Sequence, residues 1–122
     1  IASEAMKNAY APYSNFKVGA ALLTKGGKVY TGCNVENASY GATMCAERTA
    51  VFKAVSEGER EFEAIAITAD TDKFAYPCGI CRQVMLEFSN KLKVYVSNKN
   101  GQYKEYTIDE LLPGGFTKDD MR

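Results

Sequence analysis

Phe16-Lys-Val-Gly-Ala-Ala-Leu-Leu-Thr-Lys-Gly-Gly-Lys-Val-Tyr-Thr-Gly-Cys-Asn-Val35 decides the fold class. Two strand-like runs, Phe16 to Thr24 and Lys28 to Val35, flank Gly26-Gly27, a pair suited to a tight hairpin. Hairpin-linked neighbours run antiparallel, so a purely parallel sheet is excluded. Upstream, Ser3 to Ala11 carries Met6, Ala9 and Tyr10 at helical spacing and is ended by Pro12. Downstream, Thr43 can cap a helix reaching about Glu57, with Ala50, Val51, Ala54 and Val55 on its buried side and Gly58 as its stop. Ala64 to Thr68 reads as a short, mostly apolar strand. Pro77 opens a second helix through about Phe88, with Ile80, Val84 and Phe88 in step. Lys93 to Ser97 alternates as a strand, and Asn100-Gly101 turns it into another over Gln102 to Thr107. Asp109 to Leu112 makes one helical turn before Pro113-Gly114-Gly115. Two central helices separated by strands predict a mixed sheet covered on both faces. With 122 residues, no repeats and no convincing linker, a single domain over 1–122 is expected.

Composition narrows the function. Hydrophobic residues make up 46% and charged residues 25%, enough apolar material for a core without disulfide staples. The longest uncharged apolar stretch, Val18 to Leu23, falls far short of the roughly 20 residues a membrane helix needs. Glu4 and Lys7 interrupt any signal-peptide-like core at the start, so a cytoplasmic protein without a membrane partner is expected. Fifteen basic and fifteen acidic residues cancel, and the basic ones are scattered, which argues against a nucleic-acid partner. The chain has no His, which removes Ser-His-Asp and Cys-His catalysis and His-ligated metals. Acid–base chemistry near neutral pH is left to a tuned carboxylate, Cys, Lys, Tyr or a metal-bound water.

The cysteines are the obvious reactive groups. Pro77-Cys78-Gly79-Ile80-Cys81 puts two thiols three residues apart on one face at a helix start. Free amides and the positive helix end favour both as thiolates, and Cys45 has the same setting in the other helix. If the helix starts meet, a tetrahedral zinc gains three protein ligands and keeps one open position, the arrangement of a catalytic site. Three readings compete. A C-G-x-C at a helix start also suits a thioredoxin-type redox pair, although the Trp that often precedes one is absent and Cys45-Ala46-Glu47 is left without a role. A closed four-Cys structural zinc would need Cys33, which lies in a strand pattern and lacks a second C-x2-C. Two disulfides are the third, and Cys33 reads as plain core ahead of any ligand role. Glu47, two residues after Cys45, can move a proton beside an open zinc position, or merely complement the helix dipole.

A ligand-x-Glu followed by Pro-Cys-x-x-Cys is the signature of zinc deaminases, in which all-Cys ligation is allowed. Over nearly its whole length the chain resembles small nucleoside cytidine deaminases. Four segments carry the resemblance: Tyr10-Ala-Pro-Tyr-Ser-Asn-Phe-Lys-Val-Gly-Ala, Gly32-Cys-Asn-Val-Glu-Asn-Ala-Ser-Tyr, Cys45-Ala-Glu-Arg-Thr-Ala and Pro77-Cys-Gly-Ile-Cys-Arg-Gln. The resemblance implies an α/β chain of three layers, α/β/α, around a central mixed five-stranded sheet. It implies one zinc per chain on Cys45, Cys78 and Cys81, with Glu47 as the catalytic proton carrier. The implied reaction is hydrolytic deamination of cytidine and deoxycytidine to uridine and deoxyuridine with release of ammonia, in pyrimidine salvage. It also implies a homotetramer with active sites shared between subunits. In that pattern Asn34 and Glu36 hold the ribose 3′-hydroxyl, Phe16 flanks the pyrimidine, and backbone near Ala46 holds the base edge. Tyr40 and Phe116 approach a neighbouring subunit's site.

The same residues have readings of their own. Asn34 and Glu36 are two apart and point the same way if the chain is extended, or they are a turn residue and a solvated charge. Phe16 and Phe116 could simply pack in their own domain. Three thiolates overcompensate a divalent ion, so Arg48, on the face of Cys45, and Arg82, next to Cys81, could hydrogen-bond ligand sulfurs and restore Lewis acidity. Either could instead be a surface Arg. Two rival functions stay open: deamination of a modified nucleoside or nucleoside antibiotic, and a non-enzymatic, zinc-stabilised interaction domain closed by a fourth protein ligand.

Overall fold

The hairpin forms where the glycine pair places it. In the computed structural model, which describes residues 1–121, β1 (Val18–Thr24) runs antiparallel to β2 (Val29–Cys33). Gly27 turns the chain at a φ of +91°, a conformation that suits glycine. Arg122, the last residue of the single domain expected over 1–122, lies outside the described residues. Three more strands, β3 (Phe62–Ala69), β4 (Lys93–Ser97) and β5 (Tyr103–Thr107), complete a five-stranded sheet in the order β2-β1-β3-β4-β5. β3 and β4 are parallel and every other neighbouring pair is antiparallel, so the sheet is mixed. Strand alternation assigns the two faces. Ala20, Leu22, Ile65, Ile67, Val94 and Val96 lie in register on one face, all essentially inaccessible.

That face carries the helices that matter for the site. α2 (Ala46–Ser56) buries Ala50, Val51 and Ala54, and α3 (Gly79–Phe88) buries Cys81, Met85 and Leu86, in the same hydrophobic core. α3 is the crossover between the parallel strands. α1 (Ala2–Met6) covers part of the opposite face, close against Gly19 of β1. The result is the expected α/β/α layering. α4 (Ile108–Leu111) packs its buried Ile108 beneath α3 and is closed by a capping box between Thr107 and Glu110. No helix among the described residues is long and apolar enough to cross a membrane.

Four local expectations are corrected. α1 ends at Met6, not near Ala11, because the Tyr10 backbone bridges Val35: its N–H donates to Asn34 and its carbonyl accepts from Glu36. Thr43 does not cap α2. A bridge between Met44 and Val35 keeps this segment extended, the Thr43 hydroxyl accepts from the Asn37 N–H, and Cys45 occupies the N-cap. Pro77 lies one residue before the N-cap, which is Cys78. Ile80 is 61% exposed, because α3 is rotated to carry Cys81 and Met85, four apart, into the core.

Gly32 fixes how closely α2 approaches the sheet. A Cβ there would sit 2.4 Å from the Ala46 carbonyl oxygen and 2.6 Å from the Ala50 nitrogen, both backbone atoms. Gly32→Ala is therefore expected to lower stability by about 1–3 kcal/mol, the usual cost of overpacking. A thermal melt reads this directly, and an unchanged midpoint would contradict the close approach.

Candidate active site

Two helix starts converge beside the start of β1 and the end of β3, and each delivers sulfur. Cys45 and Cys78 are the N-caps of α2 and α3, and Cys81 lies in the first turn of α3. The Cys45 and Cys78 sulfurs are 3.8 Å apart and those of Cys78 and Cys81 are 3.4 Å apart, with all three within 4.8 Å of one another. A tetrahedral zinc with Zn–S bonds near 2.3 Å needs sulfurs about 3.8 Å apart. The donor set therefore fits zinc in number, softness and spacing, one ion per chain.

The fourth cysteine stands apart. Cys33 pairs with Gly19 on the α1 side of the sheet, away from α2 and α3, and it belongs to no metal-sized cluster among the described residues. The closed four-Cys site is excluded. All four thiols are free, so the two-disulfide reading also falls.

Thiol chemistry follows from these contacts. The Cys45 thiol is pulled down to about 5, first by its hydrogen bond with Cys81 and then by Arg48 and Cys78. Cys81 is pushed up, as the other party to that bond and by burial. Arg48 donates from Nη2 to Cys45 Sγ at 3.5 Å, as expected for a residue that tempers the sulfurs. Arg82 does not. Its Nε donates to the Pro77 carbonyl at 2.8 Å and its Nη1 to the Leu111 carbonyl at 2.7 Å, tying the start of α3 to the end of α4.

Glu47 is 4% exposed and lies in the first turn of α2, on the wall of a cavity of about 410 Å³ that also reaches Cys45 and Cys78. Burial pushes its carboxyl up to about 7, and the Cys45 charge adds to the effect. A carboxyl poised there accepts and returns a proton near neutral pH with little cost in either direction.

The remaining expected residues divide. Phe16, Asn34 and Ala46 line the same cavity. Asn34 Nδ2 donates to the Phe16 carbonyl at 2.7 Å and Oδ1 accepts from the Val18 N–H at 2.9 Å, so its side chain pins the backbone that presents Phe16. Glu36 lies instead in an adjoining hollow with Tyr13, Tyr40 and Thr43. Its Oε1 accepts from the Tyr13 and Ser14 N–H groups at 3.0 and 3.1 Å, and the Ser14 hydroxyl donates to Oε2. The Ser14 bonds hold this carboxyl below the usual range. Tyr40 is 90% exposed and Phe116 is 58% exposed, and neither lines the cavity that holds Glu47. Phe116 is presented by its backbone, with Gln83 Oε1 accepting from its N–H at 3.3 Å. The sequence reading missed Phe74, Ala75 and Tyr76, which complete the cavity wall. Their signal was available: two aromatics in a polar stretch directly before Pro77-Cys78.

Three cysteines leave a tetrahedral cation one position for a reactant, and the buried carboxyl stands beside it, which makes the class a zinc-dependent hydrolase. The family is narrower. Residues 1–97 match the cytidine and deoxycytidylate deaminase zinc-binding region, and the chain belongs to that family. A cytidine deaminase of Halalkalibacterium halodurans is 58% identical over 121 residues, spanning 98% of this chain and 92% of the relative. The crystal structure of a cytidine deaminase from Burkholderia pseudomallei superposes with a TM-score of 0.92 at 53% identity, over 94% of this chain and 93% of that one. That of the Mycobacterium tuberculosis cytidine deaminase gives 0.83 at 41% identity, over 94% and 90%.

Metal analysis separates ligands from bystanders. Purified protein and Cys33→Ala should each hold one zinc per chain. Cys78→Ala should lose the metal and melt at a lower temperature, because metal-binding energy is also folding energy. Zinc loss from Cys33→Ala would contradict the three-ligand assignment.

Proposed function

We propose that the protein hydrolyses cytidine and deoxycytidine to uridine and deoxyuridine with release of ammonia, and that residues 1–122 act as one catalytic domain. The observation that carries this reading is the position of Glu47: a buried carboxyl held near 7 on the wall of the cavity that reaches the cysteines. Cys45, Cys78 and Cys81 would hold the zinc, which would supply Lewis acidity to a water near neutral pH. Glu47 takes a proton from the attacking water and delivers it to the ring nitrogen beside the amine-bearing carbon. Water oxygen bonds to that carbon, the carbon–nitrogen bond breaks, and Glu47 passes the second water proton to the departing amine, which leaves as ammonia. The Arg48 bond to Cys45 draws charge from the sulfurs and so supports acidity at the centre.

Substrate contacts follow the wall. Phe16 offers an aromatic face to the pyrimidine, held in place by Asn34. Backbone groups at Ala46 hold the base edge. The Asn34 amide faces the same cavity, and with Glu36 it serves the ribose 3′-hydroxyl, common to both sugars. Glu36 reaches this role only if its Ser14 and Tyr13 bonds are exchanged for the sugar. The exposure of Phe116 and Tyr40, two large aromatics without a core of their own, supports a homotetramer in which they complete neighbouring sites. Four free thiols suit a reducing cytoplasm, where the reaction serves pyrimidine salvage.

Glu47→Gln should retain zinc and fold while losing at least ~10²–10⁴ in turnover of cytidine, the usual worth of a positioned acid–base group. Near-parent turnover would contradict the mechanism. Mixing this variant with Phe116→Ala, itself impaired, under conditions of subunit exchange should restore activity above either alone. No recovery despite exchange would return Phe116 to its own subunit's site.

A further inference from the structure

The loop between β3 and α3 supplies Phe74, Ala75 and Tyr76 to the wall of the cavity that holds Glu47. Its backbone is tied to the sheet by the Ala75 N–H, which donates to the Ser97 carbonyl at 3.1 Å. The two aromatic side chains are held differently, by β5 at the outer edge of the sheet. The Tyr76 and Tyr106 hydroxyls are 2.8 Å apart, and their rings are inclined at 55° with centroids 5.8 Å apart. Lys104 Nζ lies 4.8 Å from the centroid of the Phe74 ring. Lys104 and Tyr106 are two apart on an extended strand and share a face, and Phe74 and Tyr76 are likewise two apart. Register with Val96 and Val94, both buried, fixes that face as the one turned toward the helices and the cavity. Two matched pairs therefore link an edge strand to the cavity wall.

We infer that Tyr106 is a positioning residue whose hydroxyl holds Tyr76 as a ligand-facing, affinity-determining wall, with Lys104 holding Phe74 alongside it. Tyr76 is 45% exposed, so packing alone leaves its ring free to swing toward solvent. The hydroxyl of Tyr106 is what ties the free end of that ring to the rigid sheet, and a wall ordered before binding costs the ligand less to engage. The ligand is a pyrimidine nucleoside, an identity that rests on the deaminase reading above.

The test compares parent, Tyr106→Phe, Tyr76→Phe and the double variant, each zinc-loaded, by cytidine kinetics, by calorimetric binding of unreactive uridine and by thermal melting. Loss of one neutral hydrogen bond should raise KM for cytidine and Kd for uridine in Tyr106→Phe by roughly three- to tenfold, with kcat and zinc content unchanged. The double variant should be no worse than either single one, because both remove the same bond. If Tyr106→Phe keeps the parent KM and Kd, whether or not its melting temperature falls, the hydroxyl is structural and the inference is overturned. Effects of the two single changes that simply add would also overturn it. A parent protein that neither deaminates cytidine nor binds uridine would overturn the deaminase reading instead, and is recognised before any variant is compared.

Discussion

Everything in this fold is arranged around the meeting of two helix N-termini. The starts of α2 and α3 bring three sulfurs within 4.8 Å, and their aligned amides give the positive end that such a group requires. Cys45 is drawn toward the thiolate while Cys81, in contact with it, is driven toward the neutral thiol. A divalent ion bound by the sulfurs would take the place of that shared proton, which couples metal binding to folding stability. The sheet provides the precision. α3 is the crossover between parallel β3 and β4, and the bare Gly32 lets the backbone of α2 approach β2, so neither helix start can drift.

The environment around the sulfurs divides the chemistry among neighbours on one turn of helix. Cys45 donates sulfur, Glu47 is buried toward the cavity, and Arg48 returns to the sulfur from the other side. The same burial that raises the Glu47 carboxyl also keeps it from acting as a solvated surface charge, which a first-turn Glu usually is. The cavity is apolar on most of its wall, with Phe16 and Tyr76 only half covered. Aromatic surface of that kind favours a flat ring and excludes water from the reacting bond.

Much of this was legible in the sequence because it depends on short-range rules. A glycine pair between alternating runs gives the hairpin, and the Cys-x-x-Cys spacing puts two sulfurs on one face of α3. Cys33 could be set aside by its strand position, and the sheet confirmed it by turning that residue to the α1 side. What escaped depended on contacts distant in sequence. The Tyr10–Val35 and Val35–Met44 bridges shorten α1 and deny Thr43 its cap, and helix propensity contains neither of them. Arg82 looked like a partner of the sulfur beside it, yet carbonyls at Pro77 and Leu111 claim it. Adjacency on a helix does not give direction. Ile80 fitted the apolar repeat, but the requirement that Cys81 face Cys45 set the rotation of α3. Phe74 and Tyr76, in a loop, have no helical or strand period, and only their place directly before Pro77-Cys78 marks them.

The central claim is that three cysteine sulfurs hold the zinc and leave one position for a reactant. X-ray absorption at the zinc edge of the purified protein tests it without recourse to activity. The account predicts three sulfurs at about 2.3 Å and one oxygen or nitrogen at about 2.0 Å. Four sulfurs, or fewer than three, would contradict it.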